Sequence, residues 1–369
     1  MSEAEAAVVE TRTRRRHLKY VVIVFLCLIT LVVGLFFFAG VKLTSQIKTD
    51  DAFKDIVGDR PRQYVDPDGG RPVNILLLGV DRRGEDVGRS DTTILMHLSA
   101  DRERAYGVSV PRDLMVDRPA CKDVRSGSGA TIPATGPVMW NEAFTIGGPA
   151  CTVAQFEHMT GIYVNHFVVV EFQAFRDMAN ALGGVPVCVP KTIDDPVHKI
   201  YLPAGRYDAK GETAVSYVRV RYHVGDQSDI GRMMRQQTFL ASMVRKATSL
   251  GTMSNPVKAY NFLDAATKSF VTDPDLGKIT HLVGMGQALR NIGLDNIEFL
   301  TMPIGPYAPD PNRLGVGPGA QQMWDQLERD KVLDARFTTD ATTPVSGTPR
   351  GGSSAPMTDF DPLDYGLCP

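Results

Sequence analysis

Between Arg219 and Gln237 the chain reads RVRYHVGDQSDIGRMMRQQ, with arginines at Arg219, Arg221, Arg232 and Arg235 and no lysine. A planar guanidinium grips two phosphate oxygens at once and stays ionised when partly desolvated, which an ammonium does less well. Arg219 and Arg221 lie two apart in a YVRVR segment that reads as extended, so both side chains project to one side. Arg232, Arg235 and Gln236 are spaced by three and four on a following helix. That spacing stacks them on one face near the helix N-terminus, where free amides favour anions. Asp229 is the expected cap of that helix. Guanidinium groups this close repel by roughly 1–4 kcal/mol per pair, so an anion is expected among them, and a pyrophosphate is the economical choice. The plainer alternative is internal salt bridging to Asp226 and Asp229.

Two carboxylates accompany the arginines. In GVDRRGEDVGRSDTT, Asp81 ends one apolar run, and Arg89 and Asp91 precede the next. One sheet edge can therefore gather two carboxylates and a guanidinium, and open α/β sheets bind ligands at that edge. Carboxylates without thiol or imidazole partners suit a hard divalent cation, Mg²⁺ or Mn²⁺, which completes its shell with phosphate oxygens. Turn capping by Asp81 and Asp91 is the competing reading. In SVPRD, Pro111 stops ladder bonding and leaves Arg112 to project from the same edge; an ordinary surface salt bridge is its alternative.

These side chains need a scaffold. VNILLLGV (Val73 to Val80) is a continuous apolar run, as expected of a strand buried on both faces. TTILMHLS, RAYGVSV, HFVVVEF (His166 to Phe172), VPVCVP and NIEFLTMPIG read as further short strands. A helix is expected from Pro149 to Met159, with proline in its first turn. FQAFRDMANALGG puts Phe172, Phe175, Met178, Ala179 and Leu182 on one face and stops at Gly183. A longer helix starts near Asp229 and runs towards Leu250, and QMWDQLERD forms a last one. Alternating helices and buried strands predict a three-layer α/β/α sandwich with a central mixed sheet.

The N-terminus divides sharply. Five cations between Arg12 and Lys19 precede an uncharged run from Tyr20 to Val41, long enough to cross a bilayer at about 20 helical residues. A cleaved signal peptide would carry a shorter apolar region. The basic flank places residues 1–19 in the cytoplasm and the body outside, a single-pass plasma-membrane topology. Residues 42–71 are polar and Asp-rich and read as a stalk, residues 72–334 as the folded body, and the Thr/Ser/Pro/Gly-rich residues 335–369 as a disordered tail. With 40 basic against 42 acidic residues the net charge is −2, poor footing for nucleic-acid binding. Cys27 lies in the apolar run, and the other four cysteines suit an oxidising compartment. Three pairings are open; Cys121–Cys151 with Cys188–Cys368 is favoured, since the second bridge would tie down the C-terminus.

The motifs GVDRR, GRSDTTILMHL, SVPRD, WNEAFTIGGP, FRDMANALGGVPV and YVRVRYHVGDQSDIGRMMRQQ, in this order behind one N-terminal span, closely resemble the LytR-CpsA-Psr proteins of Gram-positive bacteria. PACTVAQFEHMTG and GGVPVCVP resemble their actinobacterial branch. The resemblance implies a transferase that moves a glycopolymer from a polyprenyl-pyrophosphate carrier to peptidoglycan, at the 6-hydroxyl of N-acetylmuramic acid. It implies that Asp81 and Asp91 serve Mg²⁺, and that Arg112, Arg219, Arg221, Arg232 and Gln236 hold the pyrophosphate. Arg89, of the same RSD motif as Asp91, would join them on the pyrophosphate, and Arg235 fits the pattern with a less defined role. Asp81 or Asp91 would accept the proton, Arg112 would share in catalysis, and the prenyl chain would need an apolar slot beside FQAFRDMANAL. Two rivals share these residues: a hydrolase with water as acceptor, and a non-enzymatic, membrane-bound envelope regulator.

Overall fold

A computed structural model describes residue 38 and residues 40–81, 88–225, 227–345, 363 and 367–368. The basic tail and all but the last residues of the expected span lie outside these. No helix among the described residues is long and apolar enough to cross a membrane. Residues 40–46 are a short helical segment of their own, in which Thr44 donates to the Gly40 carbonyl. Ile47–Pro369 forms the compact unit.

Its centre is a seven-stranded mixed sheet in the order Lys48–Thr49, Phe270–Thr272, His166–Glu171, Val73–Val80, Ser90–Leu98, Ala105–Val110, Ile297–Thr301. Val73–Val80 pairs in parallel with His166–Glu171 and antiparallel with Ser90–Leu98, which is antiparallel to Ala105–Val110 in turn. Successive residues of a strand face opposite ways, and this splits the core. Leu76, Leu78 and Val80 point with Phe167 and Val169 towards Phe144, Val153 and Phe156 of the Glu142–Thr160 helix and Trp324 of the Ala320–Glu328 helix. Ile75, Ile94 and Met96 point the other way, onto Ala241 of Asp229–Thr248 and the partly buried Leu282 and Met285 of Ile279–Ile292. The Glu142–Thr160 helix is broken at Gly147 and Gly148, whose backbone angles are not helical, so the stretch expected from Pro149 starts there and a short helical turn from Glu142 precedes it. A Cβ on Gly147 would sit 2.5 Å from Cys151 Cβ and 2.8 Å from the Lys122 carbonyl, so glycine permits the close approach of the Cys121–Cys151 bridge.

VPVCVP lies off the main sheet. Val185–Val189 pairs antiparallel with Gly205–Ala209 in a separate ribbon. That ribbon packs with Phe239 and Met243 of Asp229–Thr248 and with Tyr217 and Val218.

Two boundaries differ from expectation. Residues 42–71 are not a free stalk: Lys48–Thr49 is an edge strand of the main sheet, and Phe53 meets Phe167 edge-on at 5.4 Å. Arg60 bonds Glu157 at 2.6 Å and lies over the rings of Phe53 and Tyr163. Isolated apolar residues in polar text carry no period, so their partners, some hundred residues away, leave no local signal. The body likewise continues past residue 334. Thr342 and Phe299 exchange both backbone hydrogen bonds at 2.8 Å, covering the edge of the last strand, and Ala341, Thr342 and Thr343 are fully buried. Cys188 and Cys368 are bridged across a sequence separation of 180. Residues 346–362 lie outside the described residues.

Candidate active site

Three central strands bring charged side chains to one edge of the sheet. Asp81 follows Val73–Val80, Asp91 is the second residue of Ser90–Leu98, and Arg112 follows Ala105–Val110 after Pro111. The middle strand is antiparallel to both neighbours, so its beginning lies beside their ends. Asp81, Asp91 and Arg112 line a cleft of about 450 Å³ together with Arg219, Arg221, Arg232 and Gln236. Residues separated by more than a hundred positions thus share one wall.

The YVRVR segment is not extended as expected. Gly211–Arg219 is a helix that ends on Arg219; Val220 then takes extended backbone, and Arg221 follows. Its alternation of valine and arginine imitates a strand, but Ala214, Tyr217 and Val218 are buried against the ribbon, and that packing decides the backbone. The helix end turns both guanidinium groups into the cleft. The next helix is capped not by Asp229 but by Ser228, whose hydroxyl accepts from the Gly231 amide at 3.0 Å. Asp226 lies outside the described residues.

With Ser228 as cap, Asp229 occupies the first turn and becomes the hub of the cations. Its carboxylate is 2.7 Å from Arg232, 3.5 Å from Arg112 and 3.6 Å from Arg221. Arg112 also donates to Asp91 at 2.6 Å, and Arg219 to Asp81 at 3.2 Å while lying over the Phe172 ring. Burial works to lower the Arg112 pKa, but Asp229, Asp91 and Asp113 outweigh it and raise it above the ordinary guanidinium value. Arg232 goes the other way: burial lowers it, Asp229 offsets only part, and the neighbouring Arg112 and Arg221 add repulsion. The Nε groups of Arg112, Arg221 and Arg232 are buried and make no hydrogen bond. Arg112 Nε faces the Asp229 and Asp113 carboxylates at 3.5 and 3.6 Å, beyond hydrogen-bonding distance.

Other expected ligands of the pyrophosphate stand differently. Arg235 is 1% exposed and donates to the Val220 carbonyl at 2.6 Å, so it holds the turn between Arg219 and Arg221 rather than lining the cleft. Gln236 lines the cleft, but its amide donates to the Val218 carbonyl and accepts from Thr92, pinning helix to strand. Arg89 is exposed and outside the lining. The cleft lining also holds groups that the sequence reading passed over. Asp195, 1% exposed, bonds His198 Nδ1 at 2.8 Å, and the imidazole stacks on Tyr222 at 5.1 Å. A spacing of three residues in DDPVH was the sole signal, and it does not tell a dyad from a turn. For a cation, Asp81 and Asp91 offer hard oxygens in one cleft. Two carboxylates suit Mg²⁺, which takes the rest of its shell from water and phosphate.

Fold and cleft together define a mixed-sheet α/β domain with an arginine-rich sheet edge. The chain belongs to the LytR_cpsA_psr family, whose model matches residues 37–329. It is 29% identical over 263 residues to the cell wall biosynthesis protein LcpA of Corynebacterium glutamicum, covering 63% of this chain and 50% of the relative. It is 31% identical over 184 residues to the polyisoprenyl-teichoic acid–peptidoglycan teichoic acid transferase TagU of Bacillus cereus, covering 50% of this chain and 55% of the relative. The chain thus spans about half the length of these curated relatives. The LytR-Csp2A-Psr enzyme from Actinomyces oris shares the fold, with a TM-score of 0.58 and 20% identity over 74% of this chain and 94% of the other.

Proposed function

We propose that this protein is a phosphotransferase that moves a glycopolymer from a polyprenyl-pyrophosphate carrier to the 6-hydroxyl of muramic acid in peptidoglycan. A phosphodiester forms and polyprenyl phosphate leaves. The observation that carries this reading is the convergence of Arg112, Arg219, Arg221 and Arg232 on one cleft that also holds Asp81 and Asp91. A relative named for transfer of polyisoprenyl-linked teichoic acid to peptidoglycan supports the substrate class.

Phosphoryl transfer asks for positioning and charge neutralisation more than for covalent help. Arg112, Arg219, Arg221 and Arg232 would bind the diphosphate and neutralise the charge that gathers on the leaving phosphate. Asp229 keeps three of these groups in place before substrate arrives. Asp81 and Asp91 would hold Mg²⁺ or Mn²⁺, which when bound supplies charge neutralisation at the phosphate oxygens. The acceptor hydroxyl's proton would be taken by His198, which lines the same cleft and is oriented by buried Asp195. The span from Tyr20 to Val41 would anchor the body outside the plasma membrane, where a lipid-linked donor and peptidoglycan are both within reach.

Incubation of the chain with a synthetic polyprenyl-pyrophosphoryl saccharide, a muropeptide and Mg²⁺, read by mass spectrometry, tests this. Glycan joined to the muropeptide through phosphate is expected. Free phosphorylated glycan alone would mean hydrolysis, and unchanged donor would leave a binding protein.

A further inference from the structure

The arginine cleft also carries apolar side chains for which its cations and carboxylates have no use. Val197 and Tyr222 both line it, and they are 82% and 45% exposed. They come from separate segments: Val197 lies in the turn between the antiparallel strands Ile193–Asp195 and Ile200–Leu202, and Tyr222 directly follows Arg221. Asp195 holds that turn, accepting from the His198 amide at 3.1 Å and bonding His198 Nδ1 at 2.8 Å. The imidazole lies nearly parallel to the Tyr222 ring, 14° between planes and 5.1 Å between centroids. Ile193 and Leu202 are buried with Val218 and Val220, so the hairpin is fixed to the segment that carries Arg219 and Arg221. Single exposed apolar side chains are ordinary, but these two border one imidazole inside one cleft, on a packed support.

An exposed ring beside polar groups suits a saccharide, whose C–H face stacks on the aromatic surface while its hydroxyls reach outwards. Hydrocarbon suits it less: Glu212 and His198 line the same cleft, and a prenyl chain laid on Tyr222 would strip them of water without offering a hydrogen bond. We infer that Tyr222 and Val197 seat the sugar ring of the acceptor, an N-acetylmuramic acid of peptidoglycan, an assignment that rests on the phosphotransferase reading of this cleft. Asp195 engages Nδ1, so Nε2 is the His198 nitrogen left for the acceptor hydroxyl. A hydroxyl at Nε2 belongs to a ring beside Tyr222, and Arg221, the preceding residue, keeps the phosphate close to it. A sugar of the donor is the other occupant with the right chemistry, and kinetics tell the two apart.

Steady-state kinetics of the full chain, with a synthetic polyprenyl-pyrophosphoryl saccharide, a muropeptide and Mg²⁺, separate the two substrates. Tyr222→Ala should raise the KM for muropeptide about 10-fold, the scale of losing one anchoring ring, and leave the KM for donor within about 2-fold. Tyr222→Phe keeps the ring and should bring the muropeptide KM back to within about 3-fold of wild type. Both Tyr222 and Val197 are exposed, so Tyr222→Ala and Val197→Ser should unfold near the wild-type temperature, and Val197→Ser should raise the muropeptide KM several-fold. Titration calorimetry with muropeptide alone needs no chemistry, and Tyr222→Ala should weaken that binding by the same factor as the KM. Binding lost in Tyr222→Ala with no transfer by the wild type would refute the transferase reading and keep the sugar seat. Transfer by the wild type with an unchanged muropeptide KM in Tyr222→Ala would refute the seat and keep the transferase. A fall in kcat alone, as from a ring that merely props His198, a rise in the donor KM instead, or no muropeptide binding by the wild type would each overturn the assignment.

Discussion

Replacing Asp229 by Asn tests the electrostatic logic of the cleft at its hub. The carboxylate faces Arg232 at 2.7 Å, Arg112 at 3.5 Å and Arg221 at 3.6 Å, and its side chain is 8% exposed. At an effective dielectric near 20, each contact carries a gross attraction of about 5 kcal/mol. Desolvation offsets most of the total, and removing one partner of a buried ionic set costs about 3–5 kcal/mol net. For a domain of this size that is a fall of about 6–10 °C in unfolding temperature. The three guanidinium groups, no longer balanced, should then be stabilised more by added pyrophosphate than in the wild type, because the ligand relieves their repulsion. Differential scanning calorimetry with and without pyrophosphate measures both effects. An unfolding temperature within about 2 °C of wild type, or an equal stabilisation by pyrophosphate in both proteins, would show that Asp229 is not the counter-charge.

Arg219→Ala and Arg221→Ala should each lower transfer at least about 100-fold, the scale of losing one preorganised donor, with unfolding temperatures near wild type since both side chains are about a third exposed; activity within a few-fold of wild type would contradict the charge-neutralising role. Arg235→Met should do the reverse, costing about 2–4 kcal/mol of stability by orphaning the buried Val220 carbonyl, measurable by urea denaturation. The double variant Cys188→Ser/Cys368→Ser should lose about 3–5 kcal/mol, because the bridge closes a loop of 180 residues in the unfolded chain; an unchanged urea midpoint would argue against it. Burial pushes the Asp273 carboxyl up, but His166 and the amides of Leu276 and Asp275 outweigh this and hold its pKa below the ordinary carboxylate value. Its stabilisation is therefore complete above about pH 4, the unfolded value, and is lost as pH falls through the lower folded one. Asp273→Asn should flatten the stability-versus-pH curve below about pH 4, and an unaltered acid limb would rule the linkage out.

Much of the molecule was legible in the chain itself, for local reasons. Continuous apolar runs such as VNILLLGV read as buried strands because a strand covered on both faces has no polar side to show. The placement of Asp81 and Arg112 followed from apolar runs ended by Gly-Val-Asp and Val-Pro-Arg, where the ladder stops. Arginine in place of lysine, repeated over nineteen residues, singles out side chains that the structure does bring together in one cleft. What stayed hidden depended on partners distant in sequence. Whether Arg219 sits on a strand or at a helix end is decided by what Tyr217 and Val218 pack against. Whether Arg235 meets a ligand or the Val220 carbonyl is decided by a turn fifteen residues away. Residues 47–60 and 341–343 belong to the body only because Phe167, Glu157 and Phe299 stand ready to receive them. Residue type and period are properties of the chain, and they fixed the chemistry and most of the elements. Which cations share a carboxylate is a property of distance between side chains, and only the packed structure brings Asp229 to Arg112 and His198 into the same cleft lining.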